Sequence, residues 1–273
     1  MKIILSRKGF DSKFGGQPSP IMPDGTLLSL PIPNRNESIL FNDLKYKGKS
    51  YYDIIKELKP TSEIDDDHFC HLDPDLREDI YVRSTLWQPL FGQADTAQIH
   101  LASQGVSKGD LFLFFGTFRH TEEISGKLQY KRNSKDAHVI FGYMQVGKIY
   151  NDSSVFPKEI TYHPHAKSLF IERKSNCIYG ASKELSFMPS INGAGCFKFD
   201  KQLALTKEGY AKSRWNLPDF FKNINISYHN RDSFKEDYFQ SAGIGQEFVL
   251  DANENVIEWV KNLMMKGLHQ SNK

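Results

Sequence analysis

The chain has 273 residues, of which 39% are hydrophobic and 25% are charged, and its formal net charge is +2. These proportions are typical of a folded globular protein, and a charge so close to neutral gives no overall signal of nucleic-acid binding. No run of about 18 apolar residues occurs, which excludes a membrane-spanning helix, and the apolar run at the N-terminus is too short for a signal peptide. Three widely spaced cysteines, Cys70, Cys177 and Cys196, argue against a disulfide framework or a CxxC zinc site, so we predict a cytoplasmic protein.

The first predicted element is a buried strand over residues 3–5, and a long segment rich in turn-forming residues follows it. This opening loop, residues 6–34, reads SRKGFDSKFGGQPSPIMPDGTLLSLPIPN and contains five prolines. Because proline lacks a backbone donor and fixes its φ angle, the sequence predicts that the opening loop has no regular structure.

The remaining elements alternate between short helices and apolar strands. Residues 51–58 have helical spacing with Ser50 as N-cap, and residues 95–103 form a second helix capped by Asp95. Two long aromatic strands cover residues 111–118 and 138–150, with a polar connection between them, and CIYGA, GCFKF and LALT follow as short strands. An amphipathic final helix begins at a capping box formed by Asp251 and Glu254. This order predicts one α+β domain over residues 1–273, with a mixed or antiparallel sheet, a few flanking helices and long ordered loops.

Four segments of the sequence together carry a resemblance to a known family. They are SRKGFDSKFGGQPSPIMPDGTLLSLPIP, QADTAQIHLASQGVSKGDLFLFFGTFR, HVIFGYMQVGKI and GIGQEFVLD. They resemble the third nucleotide-modification-associated domain family, and the central pair of strands is also similar to PUA-like domains, small barrels that read nucleic-acid bases. The resemblance implies a role in the hypermodification of phage DNA or in bacterial responses to it. It also implies an arginine and an aspartate as active residues, which correspond to Arg7 and Asp11.

The opening loop has the composition of a ligand-binding wall. Arg7 and Lys8 follow the end of the first strand, and Asp11 comes four residues after Arg7, so the pair can face one cavity. Gly15 and Gly16 remove side chains, which lets the backbone approach a ligand or adopt a positive φ. The alternative is that Arg7 and Asp11 form a structural ion pair that holds the loop.

Hydrolysis of an N-glycosidic bond would use these groups without a metal. Its transition state resembles an oxocarbenium ion, which a carboxylate such as Asp11 stabilises, while a cation stabilises the departing base. A base that has left the helical stack needs aromatic and amide side chains around it, and Phe10 and Gln98 are of these types. His100 shares the predicted helix with Gln98 and can be either a site residue or a buried core histidine.

A locally basic stretch follows the first aromatic strand. Arg119 lies at the strand's end, Arg132 follows it, and His138 opens the neighbouring strand, so Arg119 and His138 lie side by side if the two strands pair antiparallel. Such a stretch can bind phosphate groups, although a solvated loop explains it equally well.

The densest group of potential metal ligands is DDDHFCHLDPD, which contains His68, His71, Asp73 and Asp75. Pro74 interrupts a helix there, so we predict an acidic solvated loop. A non-haem iron site would need a His-x-Asp pattern and a distant histidine, and His163 and His165 have no such neighbour. No GxxxxGK[ST] or GxGxxG motif occurs, so the sequence predicts no metal and no cofactor.

These features predict a DNA glycosylase that excises a hypermodified base, for example a glycosylated one, from phage DNA in antiphage defence. Its partner is DNA that carries modified bases, and no membrane is involved. Two alternatives remain open, namely a transferase that builds a modified base from a donor molecule and a non-catalytic reader of modified nucleotides.

Overall fold

The computed structural model describes residues 1–243 and 247–269. Its α-helices are α1 (Tyr51–Leu58), α2 (Asp95–Ser103), α3 (Ser168–Ile171) and α4 (Glu254–His269). Its strands are β1 (Lys2–Arg7), β2 (Ser19–Ile21), β3 (Ile32–Pro33), β4 (Ile39–Leu40), β5 (Lys45–Tyr46), β6 (Lys49–Ser50), β7 (Phe69–His71), β8 (Leu90–Gln93), β9 (Leu111–Ile124), β10 (Lys127–Tyr130), β11 (Ala137–Tyr150), β12 (Cys177–Ala181), β13 (Glu184–Leu185), β14 (Met188–Asn192), β15 (Ala194–Cys196), β16 (Arg214–Trp215), β17 (Phe239–Gln240) and β18 (Glu247–Asp251).

A nine-stranded mixed sheet forms the centre of the fold, and its main path runs β18-β1-β9-β11-β12-β8. Strand β1 is parallel to β9 and antiparallel to β18, whereas β9 and β11 are antiparallel. The predicted α+β class with a mixed sheet is therefore confirmed. Within the part of the chain that the structure describes, the sheet does not close into a barrel, so the similarity to PUA-like domains does not extend to barrel closure.

Strand β9 is the middle of the main core because it is apolar on both faces. Phe112 and Phe114 lie on one face and Phe115 on the other, and all three are fully buried. On the last helix, Val256, Val260 and Met264 recur at helical spacing and also reach 0% exposure, so α4 covers part of this core as its amphipathic pattern predicts.

The opening loop is ordered because its apolar side chains form part of a second core. Phe10, Leu28 and Leu30 are fully buried in a cluster with residues of α1 and the segment before it. Part of the loop is also regular, since Ser19–Ile21 pairs in parallel with the end of β9. The prediction that residues 6–34 have no regular structure is therefore wrong for β2, where Pro20 is tolerated at the periphery of the sheet, and for β3, which pairs with β7.

The predicted N-cap residue is confirmed for α1 and is wrong for α2 and α4. The predicted cap of α1 is confirmed, because the Asp53 backbone N–H donates to Ser50 Oγ at 3.0 Å. Asp95 is not the cap of α2, since it is the first helical residue and has φ 55°. Helix α4 is capped by Asn253, whose Oδ1 accepts the Val256 N–H at 3.1 Å, whereas Asp251 ends β18.

Two other elements differ from their prediction. The polar connection after β9 contains a strand, β10, that folds back on β9 as a hairpin through Gly126. The apolar run LALT, residues 203–206, is no strand: its first residue ends the 3-10 turn Lys201–Leu203, and Ala204 and Thr206 form only isolated bridges to Val139 and Trp215. No helix among the described residues is long and apolar enough to cross a membrane.

The two candidate caps of α4 give a direct test of this assignment. We expect Asn253→Ala to lower the free energy of unfolding by about 1 kcal/mol, because it leaves a backbone donor of the first turn without its acceptor. Asp251→Ala removes an ion pair with Lys2 in which the Asp251 side chain is 81% exposed, so its effect should stay within about 0.5 kcal/mol. Chemical denaturation of both variants measures the difference, and equal effects would contradict the Asn253 cap.

Candidate nucleic-acid interface and a buried histidine cluster

One face of the central sheet collects several of the predicted site residues at the end of β1. Arg7 pairs with Phe115 of β9, and Thr117 and Arg119 follow at alternate positions, so all of them share a face. His138 of β11 is opposite Thr117, as the antiparallel pairing of the two aromatic strands predicts. The geometry therefore brings Arg7, Arg119 and His138 to the same side of the sheet.

Arg7 and Asp11 are electrostatic neighbours. Burial lowers the pKa of Arg7, and the charges of Asp11 and Glu247 act in the opposite direction. Asp11 also organises its own loop, because its Oδ1 accepts the backbone N–H groups of Lys13 and Phe14 at 2.7 and 2.8 Å. Its carboxylate thus holds a tight turn beside Arg7.

Gly15 and Gly16 continue this turn with positive φ angles of 80° and 67°. A Cβ atom at Gly15 would lie 2.2 Å from the Phe10 ring, so the turn wraps closely around Phe10. Phe10 itself is fully buried and packs edge-on against Phe41 at 5.7 Å. The structure therefore places Phe10 in the core and leaves Gly16 at the rim of the loop.

A cavity of about 310 Å³ opens between the opening loop, the end of α1 and the β9–β10–β11 region. We call it the small pocket, and its lining residues are Ser12, Gly16, Gln17, Pro18, Leu58, Lys59, Thr117, Arg119, Tyr130 and Asp136. Arg119 forms an ion pair with Asp136, in which both Nε and Nη2 lie 2.7 Å from Oδ1. The Arg119 guanidinium also lies over the Tyr130 ring, 5.2 Å from its centroid.

Gln17 gives the small pocket an unsatisfied polar group. Its Oε1 is buried and accepts no hydrogen bond within the described residues, while its Nε2 is 3.5 Å from the Tyr130 hydroxyl. That hydroxyl donates to Pro18 O at 2.6 Å, which fixes the ring at the pocket wall. A buried acceptor without a partner costs about 1–3 kcal/mol, so its presence beside a cavity is typical of a ligand-binding position.

A larger cleft of about 1160 Å³ lies on the other face of the β9–β11 pair, because its lining residues Phe118 and Val139 alternate with Thr117 and His138, and Asp136 at the edge of the sheet lines both cavities. We call it the groove. Four lysines line it, together with aromatic rings: Lys131, Lys135, Lys201, Lys207, His120, Phe199, Tyr210 and Trp259. Arg132 is exposed directly beside Lys131. Lysines interleaved with aromatic rings are suited to phosphates and bases of a nucleic acid.

Lys8 lies on the opposite face of the sheet from Arg7. Its Nζ is 2.9 Å from Glu247 Oε1 and 4.6 Å from the centroid of Phe91. Gln93 Nε2 donates to the same oxygen at 2.6 Å, and Glu247 is 1% exposed. Lys8 is therefore part of a buried polar group between β1, β8 and β18.

The remaining predicted residues have partners away from the small pocket. Gln98 is buried and accepts the Tyr179 hydroxyl at 2.9 Å, while His100 Nε2 lies 3.0 Å from Ser227 Oγ. His138 Nδ1 accepts the Trp215 indole N–H at 3.0 Å. Of the predicted nucleic-acid contacts, Gly16 and Arg119 line the small pocket, and Arg132 is the sequence neighbour of the groove residue Lys131 but lines neither cavity. Neither cavity is lined by Lys8, Phe10, Gly15, Gln98, His100 or His138.

Sequence reasoning missed Asp136, Gln17 and Tyr130. Asp136 could have been predicted from the strand pairing. In an antiparallel pair with His138 opposite Thr117, the residue two positions before His138 lies opposite the residue two positions after Thr117, which places Asp136 opposite Arg119. Gln17 and Tyr130 had no such signal, since they meet only when the opening loop folds over the β9–β10 hairpin.

The histidine-rich segment is not a solvated loop, and that prediction is wrong. His71 and Asp75 are 8% and 2% exposed, and the Asp73 side chain is 5% exposed. His163 is the N-cap of the 3-10 turn Pro164–Ala166 and His165 lies within that turn; they are 0% and 3% exposed, and both approach Asp73. The His-x-Asp pattern missing beside His163 and His165 is thus supplied by His71 and Asp73 from a distant part of the chain.

The family relationship agrees with this architecture. The model of Nucleotide modification associated domain 3 matches residues 2–251, so the chain belongs to this family. No curated protein and no solved structure matches the chain. Of the family-like segment GIGQEFVLD, residues 244–246 lie outside the described residues.

His138 predicts a specific pH dependence of stability. Burial, with the positive charges of Arg7 and Lys212, lowers the pKa of His138 to about 3. Between this value and the ordinary pKa of about 6.5 the unfolded chain binds the proton and the folded chain does not, so stability falls as the pH falls through that window.

We expect wild-type protein to lose up to about 1.4 kcal/mol per pH unit more than His138→Gln below pH about 6.5. Glutamine can still accept the Trp215 N–H but does not titrate, so it is the matched control. Chemical denaturation of both proteins between pH 7.5 and 4.5 measures the difference. Parallel curves would show that the pKa of His138 is not lowered in the folded protein.

Proposed function

We propose that this protein is a DNA glycosylase that holds DNA along the groove and inserts a modified base into the small pocket. The observation that carries the proposal is the position of Asp136, which lines both cavities at the edge of the sheet, just before β11 begins. A nucleotide whose phosphates lie in the groove and whose base enters the small pocket would have its sugar near this carboxylate.

The sizes and charges of the two cavities support this binding mode. Ligand pockets usually have volumes of about 300–1,000 Å³, and the small pocket, at about 310 Å³, suits a single base. An enzyme that acts on a base must first take it out of the stack, which favours a narrow pocket beside a cationic groove. Tyr130 and the guanidinium of Arg119 provide flat surfaces against which such a base can stack.

The proposed reaction is hydrolysis of the N-glycosidic bond. The bond between the sugar carbon and the base nitrogen breaks, the base leaves with the electron pair and is protonated, and water adds its hydroxyl to the sugar. A carboxylate stabilises the oxocarbenium-like transition state and accepts the proton of the attacking water. We assign this role to Asp136, because Arg119 contacts only its Oδ1 and a substrate can approach Oδ2.

The family resemblance leads to a different carboxylate, Asp11, with Arg7 as its partner. Asp11 lies in the loop after β1 and acts electrostatically on Arg7, and Ser12, next to Asp11, lines the small pocket. The turn hydrogen bonds of Asp11 favour a positioning role for this residue. Asparagine at either position separates the two assignments, because it keeps the shape and removes the charge.

Gln17 supports selectivity for a modified base. Its buried Oε1 needs a donor, which a polar substituent such as a sugar hydroxyl can supply. An ordinary base that leaves this acceptor unpaired loses about 1–3 kcal/mol of binding free energy. Such a pocket would spare unmodified host DNA, as an enzyme of antiphage defence requires.

The direct experiment incubates the protein with hypermodified phage DNA and with unmodified DNA of the same length. A glycosylase releases free modified base and leaves alkali-labile abasic sites, with no added cofactor. A reader binds the modified DNA without releasing base, and a transferase changes it only when a donor is present. Equal release from both DNAs would contradict selectivity for the modification.

The carboxylate assignment predicts unequal effects of two matched substitutions. Asp136→Asn should lower the rate of base release by about 100-fold or more, because it removes the charge that stabilises the transition state. Asp11→Asn should keep most activity, since asparagine can accept the same two backbone N–H groups. Single-turnover base release measures both rates, and the reverse order would assign catalysis to Asp11.

The groove predicts a change in the salt dependence of DNA binding. Replacing Lys131 and Lys201 together with alanine should reduce the slope of log K against log salt by about 0.9 for each lost phosphate contact. Lys158→Ala is a suitable control, because Lys158 is exposed and lies outside the groove. Binding isotherms between low and moderate salt measure the slopes, and an unchanged slope in the double variant would place the DNA elsewhere.

A further inference from the structure

The buried histidine cluster has the arrangement of a metal site. His71, Asp73 and His165 can each present one ligand atom, and these atoms all lie within 4.8 Å of one another. Asp73 Oδ2 is 3.8 Å from His71 Nε2 and 3.9 Å from His165 Nε2. From these three residues we propose that the protein binds a divalent first-row transition metal ion, zinc or ferrous iron, through two imidazoles and one carboxylate.

The atoms that face away from the proposed ion are held by partners of the right kind. His71 Nδ1 is 2.7 Å from Glu37 Oε1, and His165 Nδ1 is 2.8 Å from Asn176 Oδ1. Each of these oxygens can only accept, so each ring carries its proton on Nδ1 and has a lone pair on Nε2. Metal-binding histidines almost always have such an outer partner, which fixes both tautomer and orientation.

The carboxylate has the same organisation. Asp73 Oδ1 accepts the Gly92 backbone N–H at 2.8 Å, which leaves Oδ2 directed at the two imidazoles. Gly92 is required at this point, because a Cβ atom there would lie 2.3 Å from the His165 ring. Strand β8 therefore sets the position of both Asp73 and His165.

The ligand spacing suits a borderline cation better than a hard one. In a tetrahedral shell with bonds of about 2.0–2.1 Å, ligand atoms are roughly 3.4 Å apart. The two distances from Asp73 Oδ2 must therefore shorten by about 0.4–0.5 Å, and the distance between the two imidazole nitrogens by at most about 1.4 Å. Two imidazole nitrogens and one oxygen favour zinc or iron over magnesium or calcium, which prefer oxygen ligands. Three protein ligands also leave at least one coordination position for water or substrate.

His163 lies beside Asp73 and His165 but is not one of the proposed metal ligands. Its Nδ1 accepts the His165 backbone N–H at 3.3 Å, which places its proton on Nε2. That Nε2 is fully buried and lies 3.2 Å from Asp73 Oδ1, but the geometry between the two atoms is not that of a hydrogen bond. Phe170 covers the other side of the cluster, with its ring stacked on His165 at 4.1 Å. None of these residues lines the small pocket, so the metal site is a separate feature from the proposed base-binding site.

The test measures metal content and stability of the full chain. The purified protein should retain a single zinc or iron ion per chain, lose thermal stability on chelation, and regain it with Zn²⁺ or with Fe²⁺ under anaerobic conditions. Mg²⁺ and Ca²⁺ should have no effect. Asp73→Asn and His165→Ala should abolish binding, whereas His68→Ala should bind normally, because the His68 side chain is 24% exposed and outside the cluster.

A second pair of variants keeps the test decisive if the ligand variants do not fold. Glu37→Ala retains all three ligands and should weaken metal binding by about 10–100-fold, and Glu37→Gln should largely restore it because an amide oxygen still accepts from His71 Nδ1. Competition with a chromophoric chelator measures the affinities. Absence of transition-metal binding by folded wild-type protein, or equal binding by both Glu37 variants and wild type, would overturn the proposal.

Discussion

The antiparallel pairing of β9 with β11 is the constraint on which the rest of the structure depends. Each strand has 14 residues, and their register runs from Ala137 opposite Phe118 to Gln145 opposite Leu111. On its other edge β9 supports β1 and the short β2, so the same strand anchors the first strand and the opening loop. Because the register brings Arg119 beside Asp136, the ion pair between them is a direct result of sheet assembly, and its Asp136 lines both the groove and the small pocket.

The sequence predicted the elements whose signal is local. The run of aromatic residues in β9 and the Ser50 cap of α1 depend on neighbours in the chain, and both are confirmed. Contacts between segments that are far apart in the sequence could not be predicted from it. The order of the opening loop comes from Phe10, Leu28 and Leu30 packing with α1, and no local pattern specifies which segment will cover them.

The same distinction applies to the functional residues. Antiparallel pairing was enough to bring Arg119 and His138 to one face, and it would have identified Asp136 as well. The histidine cluster was misjudged because Pro74 and the surrounding acids indicate a loop, and a loop is usually solvated. Burial follows here from Gly92 of β8 and from the turn that contains His165, both far away in sequence. Membership of the Nucleotide modification associated domain 3 family therefore identifies the context of the protein, while the two sites emerge only from its fold.

The central claim is that a modified base occupies the small pocket while its strand follows the groove. A crystal structure of the Asp136→Asn variant with an oligonucleotide that carries one hypermodified base tests it most directly. We expect the base to lie between Tyr130 and the opening loop, with a polar substituent donating to Gln17 Oε1 and the phosphates beside the groove lysines. A base that remains stacked in the duplex, or that enters any other cavity, would contradict it.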